Sequence, residues 1–170
     1  MPRLHVCSLA LVGDIVARTG ARSLVSLLSP ETAIARPKDI APERHLHLAL
    51  SDIVAPMPGQ VLPERMHLDK LLGFVLAWDR AEPMVIHCWA GVSRSTAAAY
   101  IAACALNPRR DEFEAARAIR AASPTATPNA RLVALADSAL SRNGRMNDAI
   151  AEIGRGEECF EGTPFTLELA

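Results

Sequence analysis

The sequence has no excess of charge of either sign: 18 Lys and Arg stand against 19 Asp and Glu, a formal net charge of -1. No global field therefore draws it to nucleic acid or to an anionic membrane, and nucleic acid is not an expected partner. Any anion site has to be built locally. Long hydrophobic runs are also missing. The longest, TAAAYIAACAL from Thr96 to Leu106, falls well short of the ~18 residues needed to cross a bilayer, so no membrane insertion is expected. The four cysteines, Cys7, Cys88, Cys104 and Cys159, include no C-x-x-C pair and are too few for a disulfide framework, which points to a reducing, cytoplasmic setting. The opening MPRLHVCSLALVG is broken by His5, Cys7 and Ser8 and followed by Asp14, and reads as a first strand rather than a signal peptide. Internal repeats, low-complexity tracts and linkers are lacking as well.

What remains is half hydrophobic, with a mean hydropathy of +0.14 over 170 residues and 18.2 kDa. That is enough to bury one full core without staples. Buried strands are expected over Leu4 to Leu11, Leu24 to Leu28, His45 to Leu50 and Met84 to His87. Helical spacing runs from Pro63 through Trp78. Ser95 to Leu106 is apolar all round, as a helix buried against a sheet would be, and stops at Asn107-Pro108. Asp111-x-x-Glu114 opens another helix, and Pro128 to Ser141 forms a further one ending at Asn143-Gly144. Strands alternating with helices predict an α/β fold with a mainly parallel central sheet flanked by helices. Residues 1–156 are expected to form the single domain. Residues 157–170, acidic but with Phe165, Leu167 and Leu169 alternating, read either as a tail or as an edge strand.

The chemistry is concentrated between Val85 and Thr96, VIHCWAGVSRST. A strand running into a Gly-containing loop and then a helix gathers backbone N–H groups and the positive helix end around one small space. Cys88 begins that loop and Arg94 closes it. A thiolate at Cys88 would be stabilised by the amides, the dipole and Arg94, and so be nucleophilic. Arg94 also offers a two-pronged donor for phosphoryl oxygens, which a lysine cannot. Bare C-x5-R spacing is weak evidence, expected about 0.4 times by chance in such a composition. Cys104 to Arg110 matches it too, but inside a helix, without a glycine and with Asp111 following. The Cys88 match adds His87 before, Gly91 within and Ser95 after.

The segment HCWAGVSRST resembles the signature loop of the cysteine-based protein tyrosine phosphatases, in the H-C-x-A-G-x-S-R-S form of the dual-specificity branch. Ser123-Pro124-Thr125-Ala126-Thr127-Pro128-Asn129 is similar to the Pro-Asn segment of that branch, and the order of elements extends the resemblance over roughly residues 3 to 142. The resemblance implies a phosphatase fold and a cysteinyl-phosphate intermediate, with no cofactor and no metal. Cys88 would be the nucleophile. Trp89, Ala90, Gly91, Val92, Ser93 and Arg94 would bind the phosphoryl group, and Ser95 would donate to the leaving thiolate while also being placed to cap a helix.

The family also needs a general acid. His45 to Leu50 and Met84 to His87 form a βαβ unit, so both strands end at one sheet edge, with Asp52 just past the first and Cys88 just past the second. Asp52 is the expected acid, with a plain turn residue as the other reading. His87 is expected to orient the loop. Asn129 reads equally as a helix cap or as a brace between active-site loops. His45 and His47 read as structural or surface residues rather than a metal pair.

Expected substrates are phosphorylated proteins, phosphotyrosine first and phosphoserine or phosphothreonine as well, because Trp89 and Val92 make the loop apolar where lipid-directed relatives carry basic residues. Three rivals stand beside this: a phosphatase for phosphoinositides or other small phosphate esters, a phosphate-binding pseudophosphatase, and a rhodanese-like sulfurtransferase.

Overall fold

The computed structural model describes residues 1–169. Its centre is a five-stranded sheet of β1 (Arg3–Cys7), β2 (Ser23–Leu28), β3 (His45–Ala49), β4 (Met84–His87) and β5 (Phe165–Glu168), in the order β3-β2-β4-β1-β5. The first four strands are mutually parallel and β5 runs antiparallel along β1. All residues of β2 and β4 are buried, as strands covered on both faces must be.

The helices are α1 (Val12–Thr19), α2 (Arg65–Ala77), α3 (Arg94–Leu106), α4 (Glu112–Ala122), α5 (Ala130–Ala139) and α6 (Arg145–Ile153). One face of the sheet is covered by α1, through Val12, Ile15 and Val16 against Leu24 and Val85, with Ile40 of the β2–β3 connection beside them. The main core lies on the other face. There Leu4, Val6, Val25, Leu27 and Ile86 meet α3 and, around it, the remaining helices. From Arg94 to Ala105 every residue of α3 is buried, which is why its sequence shows no polar face.

The structure corrects the expected first strand. It stops at Cys7 rather than Leu11, and the apolar run continues as a short 3-10 turn, Leu9–Leu11, and then α1. Val12, Ile15 and Val16 are spaced for one helical face, but a run this short does not distinguish helix from strand until its packing partner is known. Helix α6, not anticipated, packs Met146 and Ala149 into the main core. The alternation of Phe165 and Leu167, both buried, with exposed neighbours forms β5.

Because β2, β3 and β4 are parallel, their C-terminal ends open on one edge. Three loops converge there: the one after β2, beginning at Ser29; the one after β3, with Ser51 and Asp52; and Cys88–Ser93, between β4 and α3.

Candidate active site

The loop is shaped by Gly91, whose φ of +73° is open to glycine at little cost. A Cβ there would also lie 2.8 Å from the Cys7 carbonyl carbon and 2.9 Å from the Ser8 nitrogen, so the loop sits directly on the end of β1. The turn brings the Gly91 N–H back to donate to Cys88 Sγ at 3.3 Å. Ser95 Oγ lies 3.1 Å from the same sulfur. Helix α3 begins at Arg94, one residue earlier than predicted, and its N-cap is Ser93, so the Ser95 hydroxyl faces the sulfur rather than capping. Cys88 is 2% exposed, at the bottom of the cradle. The other interior thiols are pushed up by burial, Cys7 to about 12 and Cys104 to about 11, and belong to the core.

Arg94 is buried, with 7% exposure, and is tethered from one side only: Nη1 donates to the Leu50 carbonyl at 2.9 Å and to Ser29 Oγ at 3.3 Å. Its Nε is buried without a protein partner. A buried, charged donor of this kind is costly unless an anion receives it. The loops after β2 and β3 therefore aim the guanidinium, a role that neither Ser29 nor Leu50 signals in sequence.

Asp52 is exposed, beyond the end of β3, and its Oδ1 accepts two hydrogen bonds: from Ser93 Oγ at 2.7 Å and from Asn129 Nδ2 at 2.9 Å. Asn129 Nδ2 also reaches the Ile53 carbonyl at 3.2 Å, while its Oδ1 caps α5 by accepting from the Leu132 N–H at 3.0 Å. One side chain thus caps a helix and ties that helix to the Asp52 loop. Ser93, expected only as a phosphate contact, joins the signature loop to Asp52.

His87 is fully buried. Burial, assisted by nearby positive charge, holds its imidazole down to about 4, so it is neutral. Nδ1 lies 2.9 Å from the Cys88 carbonyl and Nε2 lies 2.6 Å from Ser26 Oγ. Trp89 and Ala90 meet the chain's end: the Trp89 ring packs edge-on to Phe160 at 5.3 Å, the Gly162 N–H donates to the Ala90 carbonyl at 2.9 Å, and Glu161 accepts from Ser8 Oγ. The stretch before β5 is thus strapped across the back of the loop, which composition alone did not reveal. His45 and His47 stack at 6.1 Å, with His45 turned toward Ser26.

No family model matches this sequence, and no curated protein matches it. Solved structures do match. Human DUSP28 is 19% identical at a TM-score of 0.63, covering 82% of this chain and 92% of its own. DUSP15 is 20% identical at 0.63, covering 93% and 96%. PTPMT1, solved in complex with PI(5)P, is 15% identical at 0.60, covering 88% and 91%. The chain shares its fold with these phosphatases.

Proposed function

We propose that this protein is a phosphatase that hydrolyses phosphate monoesters through a cysteinyl-phosphate, with phosphotyrosine in proteins as its first substrate. The observation carrying this reading is the pairing in one loop of a buried thiol, met by the Gly91 N–H and Ser95 Oγ, with a buried Arg94 whose Nε has no protein partner. A tetrahedral dianion satisfies both requirements.

In the first half-reaction Cys88 Sγ attacks phosphorus in line, the S–P bond forms and the bond to the ester oxygen breaks. Arg94 and the loop amides hold the three equatorial oxygens, over which the negative charge of the transferring group is spread in the transition state. Asp52 gives a proton to the leaving oxygen. Both protein donors to Asp52 fall on Oδ1, so the transferable proton belongs on Oδ2. In the second half-reaction water attacks phosphorus, Asp52 takes its proton and the thiolate departs, stabilised by Ser95. An open groove of about 1130 Å³, lined by Asp52, Val92, Ser93, Pro128 and Ile150 among others, adjoins the Asp52 side of the loop and offers room for the remainder of a protein substrate. The apolar Trp89 and Val92 favour this over a polyphosphoinositide headgroup.

The test is hydrolysis of an aryl phosphate and a phosphotyrosine peptide with vanadate as competitor, with sulfur transfer from thiosulfate to cyanide assayed in parallel. Wild type hydrolyses the esters and transfers no sulfur. Cys88→Ser loses turnover but still binds phosphate, because the cradle and Arg94 remain. Arg94→Lys loses both binding and rate. Turnover by Cys88→Ser would refute the covalent route, and sulfur transfer without hydrolysis would favour the sulfurtransferase.

A further inference from the structure

One run of hydrogen bonds reaches the nucleophile loop without entering the steps above. It crosses three neighbouring strands, from His45 on β3 through Ser26 on β2 to His87 on β4. His45 Nε2 lies 2.8 Å from Ser26 Oγ, Ser26 Oγ 2.6 Å from His87 Nε2, and His87 Nδ1 2.9 Å from the Cys88 carbonyl. We propose that Ser26 and His45 are positioning residues of the active site: through His87 they fix the peptide between Cys88 and Trp89 so that its N–H serves the anion cradle.

Chemistry sets the direction of each bond. The Cys88 carbonyl can only accept, so His87 Nδ1 carries the proton. His87 is neutral, so its Nε2 is a bare acceptor and the Ser26 hydroxyl must donate to it. The single Ser26 hydrogen is then committed, and its oxygen can only accept from the Nε2–H of His45. Every bond is oriented from one end by a backbone oxygen.

The consequence lies in the planarity of the peptide. In a trans peptide the C=O and the following N–H point in opposite directions. A Cys88 carbonyl held toward His87 therefore turns the Trp89 N–H away from His87, toward the loop whose Gly91 N–H already points at Cys88 Sγ. With the peptide reversed, a carbonyl dipole would face the bound anion and a donor would be lost. His87 and Ser26 are both fully buried, so an imidazole nitrogen that loses its partner there cannot turn to water. The half-buried His45 is faced by His47 and Arg36, and His87 is faced by Arg94 as well as by His45 and His47. All of these disfavour a positive charge in the relay.

The proposal rests on the phosphatase reading for its meaning, but its test does not require turnover. The measurements are inorganic phosphate binding by calorimetry, the rate of Cys88 alkylation by iodoacetate at pH 6, and kcat and KM for an aryl phosphate, each on protein shown to be folded by circular dichroism. Ser26→Ala is expected to bind phosphate ~10-fold more weakly and to lose ~10 to 10²-fold in kcat. His45→Leu is expected to show the same pattern at about 3-fold. His45→Gln, which keeps an N–H where Nε2 was, is expected to restore wild-type values. Folded Ser26→Ala with wild-type phosphate affinity and alkylation rate overturns the relay and leaves the phosphatase reading standing. Wild type without hydrolysis, but with phosphate binding weakened in Ser26→Ala, supports the relay and refutes the reading. Should Ser26→Ala not fold, the His45 pair decides: equal phosphate binding by His45→Leu and His45→Gln overturns the proposal.

Discussion

Asn129 donates to Asp52 at 2.9 Å across a separation of 77 residues, while its own carbonyl oxygen caps the helix that follows it. The loop after β3 and the N-terminus of α5 are therefore one mechanical unit, and the candidate acid is held by a helix cap. Ser93 completes the joint from the Cys88–Ser93 loop at 2.7 Å, so the segments carrying the groups proposed for nucleophilic attack and for protonation are directly tied.

Asp52→Asn is expected to slow phosphotyrosine hydrolysis by ~10² to 10⁴-fold with phosphate affinity nearly intact, and to abolish the alkaline limb of the pH–rate profile. Substrates with leaving groups that depart without a proton should suffer less. Asn129→Ala should lower kcat less than Asp52→Asn does, and cost about 1 kcal/mol of stability through the lost cap. Steady-state kinetics on two leaving groups, with denaturant melts, check both. If Asp52→Asn slows all substrates equally, Asp52 is not the proton donor.

Gly91 and Gly59 share a φ of +73°, but only Gly91 is crowded, by the backbone of Cys7 and Ser8. Gly59→Ala should cost about 1 kcal/mol from backbone strain alone. Gly91→Ala forces the loop off the end of β1 and should lose phosphate binding as well as several times that stability. Isothermal titration with phosphate and urea unfolding of the two variants make the comparison.

Arg142 is a structural cation. It donates to Glu112 Oε1 at 2.6 Å and to the carbonyls of Cys104, Arg110 and Asn107, serving the C-terminal end of α3. Burial works against the Glu112 carboxylate, yet the hydrogen bonds from Arg142 and Arg145 outweigh it and leave the carboxyl below its ordinary value. Arg142→Met leaves the Glu112 carboxylate, whose side chain is 4% exposed, with only the half-exposed Arg145 as a cationic partner, and is expected to destabilise by about 2 to 3 kcal/mol. Activity per folded molecule should not change. A wild-type unfolding midpoint would contradict this.

Acid sensitivity follows from His87, held by burial at about 4 against an ordinary 6.5. The unfolded chain takes up a proton at this residue as pH falls through 6.5, whereas the folded chain does so only near 4. Its contribution is therefore fully present above about pH 6.5 and is lost by about pH 4, amounting to about 3 kcal/mol. His5 and His45 are lowered, chiefly by burial, and act in the same direction. Urea unfolding between pH 7.5 and 4.5 should show stability falling, and a His87→Gln variant should show a flatter slope.

The strand, loop and helix start around Cys88 were legible in the sequence alone, because they lie within twelve consecutive residues and their geometry is local. The parallel sheet was legible for a similar reason: β2 and β4 are short apolar runs separated by helical spacing, and right-handed crossovers leave few ways to arrange them. The sequence placed Asp52 at the same sheet edge as Cys88, but the partners of that carboxylate come from a loop 41 and a helix 77 residues away. Packing alone settles that Arg94 is tethered by Ser29 and Leu50, that Gly162 and Phe160 lie against the loop, and that Ser26 and His45 reach the Cys88 peptide. Such contacts leave no local signal. A buried serine on an apolar strand, a histidine pair on a half-exposed one and a glycine in an acidic tail acquire roles only when packing brings their polar atoms within about 3 Å of groups that water can no longer serve.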